Sequence, residues 1–259
     1  MVKSIIRINR MKLFPFLLVF LSFNQLNFLL AQSDSLTMKT TEMELCALQD
    51  SIYSNIGENN SFSEDFEKRL YPLLRLTESF IYPFDSLKKK IRVLYSPDSL
   101  FKIYGWEQMP GGNWHDYKSV VQYRNKKDEM LLYEISDERE AELGKFSDVI
   151  IYSVHQPQKD IYLLIGFGTH GSGMHHKFAQ LFQLKGDSLK VVSGSIDKRD
   201  YYYVESPRVH KINLVYSEKD KTLSHEELEE PNEENAGWPK PTGKNVVFTF
   251  SKGQFIKKE

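Results

Sequence analysis

Histidines and glycines gather at one place in this chain. Gly166-Phe167-Gly168-Thr169-His170-Gly171 is followed by Gly173 and then by His175-His176. Neutral imidazoles suit zinc, copper and nickel, so His170, His175 and His176 form a candidate metal cluster. A five-residue step from His170 to His175 brings two rings together if the glycines fold the loop back. Adjacent histidines on an extended strand point to opposite faces, so only one of His175 and His176 joins readily. A third ligand has to come from elsewhere. His115-Asp116 supplies one option, just after Gly111-Gly112-Asn113-Trp114. No zinc-protease spacing such as H-E-x-x-H is present.

The same glycine run satisfies G-x-G-x-x-G, but the dinucleotide fingerprint needs a helix to begin at the turn. Here residues 177–184 read as a strand, so a strand-to-strand connection is expected and no cofactor. The serines offer no G-x-S-x-G elbow. Aromatic residues carry the better signal. Trp106, Trp114 and Tyr117 surround one glycine-rich loop together with His115 and Asp116, and loop aromatics stack on sugars or anchor peptides. The expected ligand-binding set is Trp106, Trp114, His115, Asp116, Tyr117 and His170. It joins the segment 111–117 to the segment 169–176 at one end of a sheet, where functional loops gather. The site depends on those two segments being neighbours.

The elements that must position these residues change type along the chain. Thr41 with Glu44 has the form of a capping box, and Leu45, Leu48, Ile52 and Ile56 follow at helical spacing. Ser61 with Glu64 opens a second helix, lined on one face by Phe66, Leu70, Leu73, Leu74, Phe80 and Ile81; Pro72 should kink or split it, and Pro83 ends it. From Ile91 the period becomes two. Strands are expected at 91–96, 100–106, 119–124, 129–135, 148–155, 160–167, 177–184, 188–192, 209–216, 245–250 and near Phe255. Turn signals such as Ser96-Pro97-Asp98-Ser99 and Lys185-Gly186-Asp187 separate them. Residues 161–165 are apolar on both alternating faces, as in a strand covered on both sides. The fold class is therefore mainly β (α+β): an antiparallel meander forming a sandwich or open barrel, with two N-terminal helices packed on it. Residues 137–143 suggest a short helix. The acidic, proline-broken stretch 224–243 reads as a solvated loop pinned by Trp238.

The first residues address the chain. Lys3, Arg7, Arg10 and Lys12 precede an uncharged apolar run, and Ala31 offers a small residue at the exit. This is the form of a signal peptide, read from Met1 or from Met11. The expected organisation is 1–31 signal peptide, 32–90 helical segment and 91–259 β domain, with 32–259 one folded unit. An uncleaved anchor over residues 13–31 is the alternative, although Asn24, Gln25 and Asn27 interrupt the apolar run. Removing residues 1–31 takes away four positive charges and moves the formal balance from −1 to −5. A mildly acidic chain has no electrostatic footprint for nucleic acid. Cys46 is the single cysteine, so no intrachain disulfide forms, and its helical setting reads as a small buried hydrophobe.

Residues 96–106 (Ser-Pro-Asp-Ser-Leu-Phe-Lys-Ile-Tyr-Gly-Trp), Gly111-Gly112 and residues 162–168 (Tyr-Leu-Leu-Ile-Gly-Phe-Gly) together resemble a loose group of exported β-rich proteins of Gram-negative bacteria. The similarity covers roughly residues 80 to 216. Its motifs are turns and strands, so it implies location and architecture but no activity. The expected role is binding of a ligand or protein partner in the periplasm or outside the cell. A hydrolase or metal-dependent enzyme using the histidine-rich turn is the alternative, and a membrane-anchored assembly factor is a third reading.

Overall fold

The computed structural model describes residues 36–55, 61–109, 111, 115–135, 148–169, 173–229 and 238–258. The expected signal segment, the short helix at 137–143, Trp114 and His170 lie outside the described residues. The chain divides into two units, residues 1–41 and 42–259. In the first, residues 36–41 are helical. The Thr40 and Thr41 hydroxyls donate back to the Leu36 and Thr37 carbonyls at 2.9 and 3.0 Å. Thr41 therefore sits inside a helix and caps nothing, and the capping-box reading is corrected. A threonine hydroxyl can satisfy itself on the preceding turn, and here it does.

The second unit is mainly β, with two N-terminal helices and three antiparallel sheets. Helix α1 occupies residues 42–54 of this unit, and α2 runs Ser61–Leu74. The second helical segment divides, but not at Pro72: α2 runs on through Pro72 to Leu74, and a short α3 follows at Thr77–Ile81, with Ile81 exposed and not on the buried face expected of it. A 3-10 turn covers Leu87–Lys89. Glu42, on the buried side of α1, accepts from the Ser86 and Leu87 amides at 2.7 and 2.9 Å and from the Tyr82 hydroxyl at 2.8 Å. Those contacts fix the turn against the helix. Cys46 is buried, and burial pushes its thiol upward.

The first sheet has the order β1 (Arg92–Tyr95), β2 (Phe101–Met109), β3 (Asp116–Arg124), β4 (Met130–Glu134). The second has β5 (Ile150–Gln158), β6 (Ile161–Thr169), β7 (Met174–Lys185) and β8 (Ser188–Val191). In it β9 (Tyr201–Pro207) pairs with the first half of β7. The third contains β10 (Val215–Ser217), β11 (Thr222–Leu228), β12 (Pro241–Ser251) and β13 (Gln254–Lys257). Neighbours in sequence are mostly neighbours in space, which is the meander that the turn signals imply. Among the described residues no sheet closes into a barrel.

Packing follows the pleat. One face of the second sheet, with Tyr162, Leu164, Phe178 and Phe182, shares a core with Phe101, Ile103, Val121 and Tyr123 of the first. Its other face, with Leu163, Ile165, Ala179 and Leu181, shares a core with Leu223, Phe248 and Phe255 of the third. Residues 161–166 of β6 are consequently all buried. Each such aliphatic or aromatic side chain contributes about 1.5–3 kcal/mol. The outer face of the first sheet meets the helices. Gln122, fully buried, donates to the Leu74 carbonyl at 2.6 Å and to Ser79 Oγ at 2.7 Å, and accepts from the Tyr104 hydroxyl at 3.0 Å.

Three sequence expectations change. Of residues 209–216 only the end pairs, and Val209 is 83% exposed. The stretch that reads as an acidic loop begins with β11, whose Leu223 and His225 alternate inward beneath exposed or half-buried glutamates. Trp238 is 41% exposed, so it is not a buried anchor.

Candidate functional site

The end of β6 and the entry to β3 touch. The His115 amide donates to Thr169 Oγ1 at 2.9 Å, and the Thr169 hydroxyl donates to the His115 carbonyl at 3.2 Å. His115 and Thr169, each at the described edge of a segment rich in glycine and histidine, thus join the first and second sheets.

A second tie lies behind this junction. Asp148, just before β5, is buried and accepts from the Tyr117 amide through Oδ1 at 2.5 Å. Its carbonyl accepts from His176 Nε2 at 3.0 Å. A carbonyl only accepts, so the ring proton of His176 sits on Nε2. The His176 ring is fully buried and stacks on Tyr203 at 4.9 Å. The glycines of the G-x-G-x-x-G pattern make this possible. A Cβ on Gly168 would stand 1.9 Å from the Asp148 carbonyl oxygen and 2.3 Å from the His176 ring. One on Gly166 would stand 2.6 Å from Val149. The pattern serves close packing of β5 and of a histidine over β6, with a strand and not a helix after it.

His175 points to the other face, as alternation demands. It joins a row of rings. His115 stacks on Tyr117 with centroids 6.0 Å apart and planes within 6°. Tyr117 lies 5.3 Å from Phe167, and Phe167 lies 6.3 Å from His175. The Lys177 ammonium sits 4.9 Å from the Phe167 ring and 5.5 Å from Tyr152. Burial pulls the Lys177 ammonium downward. Burial also lowers His175, with Arg208, Lys177 and His115 adding repulsion, so its neutral form is favoured. The Tyr117 phenol is pushed well up by burial and then by the Glu107 and Asp148 carboxylates, and stays protonated. Asp116 is raised chiefly by burial, with Lys118 opposing and Glu67 reinforcing.

Glu107 completes the end. A bulge after it turns the last residues of β2. One carboxylate oxygen bonds His115 Nδ1, and the other accepts from the Tyr53 hydroxyl at 2.8 Å. Gln49 Nε2 donates to the Glu107 carbonyl at 3.3 Å. Tyr53 and Gln49 come from α1, so the helix holds the carboxylate that orients the imidazole. Beside this wall opens a cleft of about 430 Å³, bounded by Tyr53, Glu107, Tyr117 and Ile150 on one side and by residues 88–94 on the other.

Of the residues expected at a site, His115 and Tyr117 are in the aromatic row and Asp116 lies between them in sequence. Trp106 borders the cleft, but its ring is 1% exposed and packs against Phe66 and Tyr71, with centroids at 5.7 and 6.2 Å. The strand sends His175 and His176 to opposite faces, as expected of neighbours on a strand, His175 against Phe167 and His176 against Tyr203. Among the described residues no three His, Cys, Asp or Glu side chains converge as a metal would require. Glu107, Tyr53, Asp148, Phe167 and Lys177 went unforeseen. Phe167 stands in the glycine run itself and Lys177 directly follows the histidines. The carboxylates and Tyr53 carry no local pattern. Comparison with protein-family models, curated proteins and solved structures finds no match to this chain.

Proposed function

We propose that this is an exported binding protein, periplasmic or secreted, built as a layered β-sandwich that presents its ligand surface at the His115–Thr169 end. The observation that carries the reading is the pair of hydrogen bonds between His115 and Thr169. It gathers the aromatic row His115–Tyr117–Phe167–His175 and the Glu107–Tyr53 wall at one place. Half-buried rings, a carboxylate with its partners fixed and a cation over an aromatic face are recognition chemistry. The charged N-terminal head with its apolar run supports export. The net charge of −1 favours ligands other than nucleic acid.

The test is a screen of glycan and peptide arrays with the processed protein, run beside His115→Ala and Lys177→Ala variants. The reading expects a set of ligands retained by the wild type and lost by the variants. An empty screen, or one unchanged by both substitutions, overturns it.

A further inference from the structure

The cleft beside the Glu107–Tyr53 wall has a strongly cationic opposite rim. Lys88, Lys89, Lys90 and Arg92 place four positive charges within five positions of a chain whose formal charge is −1. All four line the 430 Å³ space. Two are neutralised by side chains of the protein: Lys88 pairs with Asp85 at 2.5 Å and Lys90 with Asp50 at 2.6 Å. Lys89 and Arg92 form no ion pair among the described residues, and both are exposed. The Glu107 carboxylate, which also lines the cleft, is hydrogen-bonded to the His115 ring and the Tyr53 hydroxyl. The space is held open by elements with little freedom. Glu42 fixes the 3-10 turn that carries the lysines, and β1 pairs with β2 from Arg92↔Gly105 onward. A cavity of several hundred cubic ångströms with convergent polar groups has the dimensions of a small-molecule site.

We infer that the cleft binds a small polyanion, a multivalent carboxylate or phosphate, with Arg92 and Lys89 as its charge partners. The guanidinium of Arg92 suits a forked contact with an oxyanion, and Lys89 supplies a point charge. The inference rests on the reading of this end of the molecule as a binding surface and names the chemistry of its ligand.

Calorimetric titration of the processed full chain with citrate and, separately, with pyrophosphate tests it. The expected result is saturable binding of at least one of the two, weakened by added salt. A Lys89→Glu/Arg92→Glu double variant should weaken it about tenfold or more. Both side chains are exposed, so the variant is expected to fold, and a circular dichroism spectrum matching the wild type verifies that. Preference for citrate or for pyrophosphate identifies the carboxylate or the phosphate source. Absence of binding by both probes overturns the inference, as does binding undiminished in the folded double variant. If the arrays retain neutral ligands while both anions fail, the end of the sheet still binds and only the anionic assignment falls. If the anions bind at the cleft while the arrays are empty, the anion site stands without the wider surface.

Discussion

Gly168 has the Asp148 carbonyl and the His176 ring where a side chain would begin. Alanine there must displace backbone, since a Cβ would sit 1.9 Å from a carbonyl oxygen. Gly168→Ala is expected to cost about 3 kcal/mol or more, in the range of overpacked, network-breaking changes, measured by urea unfolding. Asp98 has the opposite character: it collects donors. It accepts from the Tyr162 hydroxyl at 2.6 Å, Gln156 at 2.8 Å, Ser96 at 2.9 Å and the Leu100 amide at 3.3 Å. Burial pushes its carboxyl up, but those four donors together hold it below its ordinary value. A depressed carboxyl stabilises the fold fully above its unfolded value and less as pH falls through the folded one. Tyr162→Phe should therefore cost about 1 kcal/mol at neutral pH, moderated by solvent near Asp98, and its deficit should shrink below about pH 4. A deficit that stays constant down through that range would show that the hydroxyl acts by packing alone.

At the scale of elements, the helices are held to the first sheet by buried polar groups as much as by apolar ones. Lys102 on β2 is buried, donates to the Tyr82 carbonyl at 3.2 Å and lies 5.0 Å from the Tyr95 ring. Burial lowers its ammonium to about 8. A base with a lowered folded value penalises folding below that pH, and the penalty is relieved as pH rises toward the unfolded value of about 10.4. Relative to Lys102→Met, the wild type should gain stability between about pH 8 and pH 10, read by denaturation at both ends of the window. Most of the strands were legible, though not their order in the sheets, because alternation and turn chemistry agree, as at 96–99 and 185–187. Strand β9 was not, since Tyr201-Tyr202-Tyr203 has no polar alternation. Strand β11 was hidden because it runs into Glu226-Glu227 and the acidic stretch after them, which composition assigns to a loop. The proximity of residues 115 and 169 was legible only as a condition on the meander. Its cement, Asp148 and Glu107, was not, because contacts across sheets leave no trace in local spacing. Thr169→Val should test the junction itself. Losing both bonds to His115 is expected to weaken any ligand bound at the aromatic row several-fold while leaving the unfolding midpoint nearly unchanged.

For the whole molecule, the large unit from residue 42 onward builds two apolar cores on either face of one sheet and needs no covalent staple, since Cys46 is the single cysteine. Among the described residues no helix is long and apolar enough to cross a membrane. The proposed export then predicts a mature chain beginning after Ala31, about 228 residues long, a size ordinary for one β domain. Intact-mass measurement of protein recovered from outside the cytoplasm checks this, and a chain that retains its first 31 residues there would favour the anchored form.

Strand β6 is clothed on both sides, so its amide protons meet solvent only when the two cores come apart together. Their exchange with deuterium should accordingly be the slowest in the protein and track its global unfolding free energy, whereas those around Val209 should trade within the dead time. The protein thus carries at its centre a built-in gauge of its own cohesion.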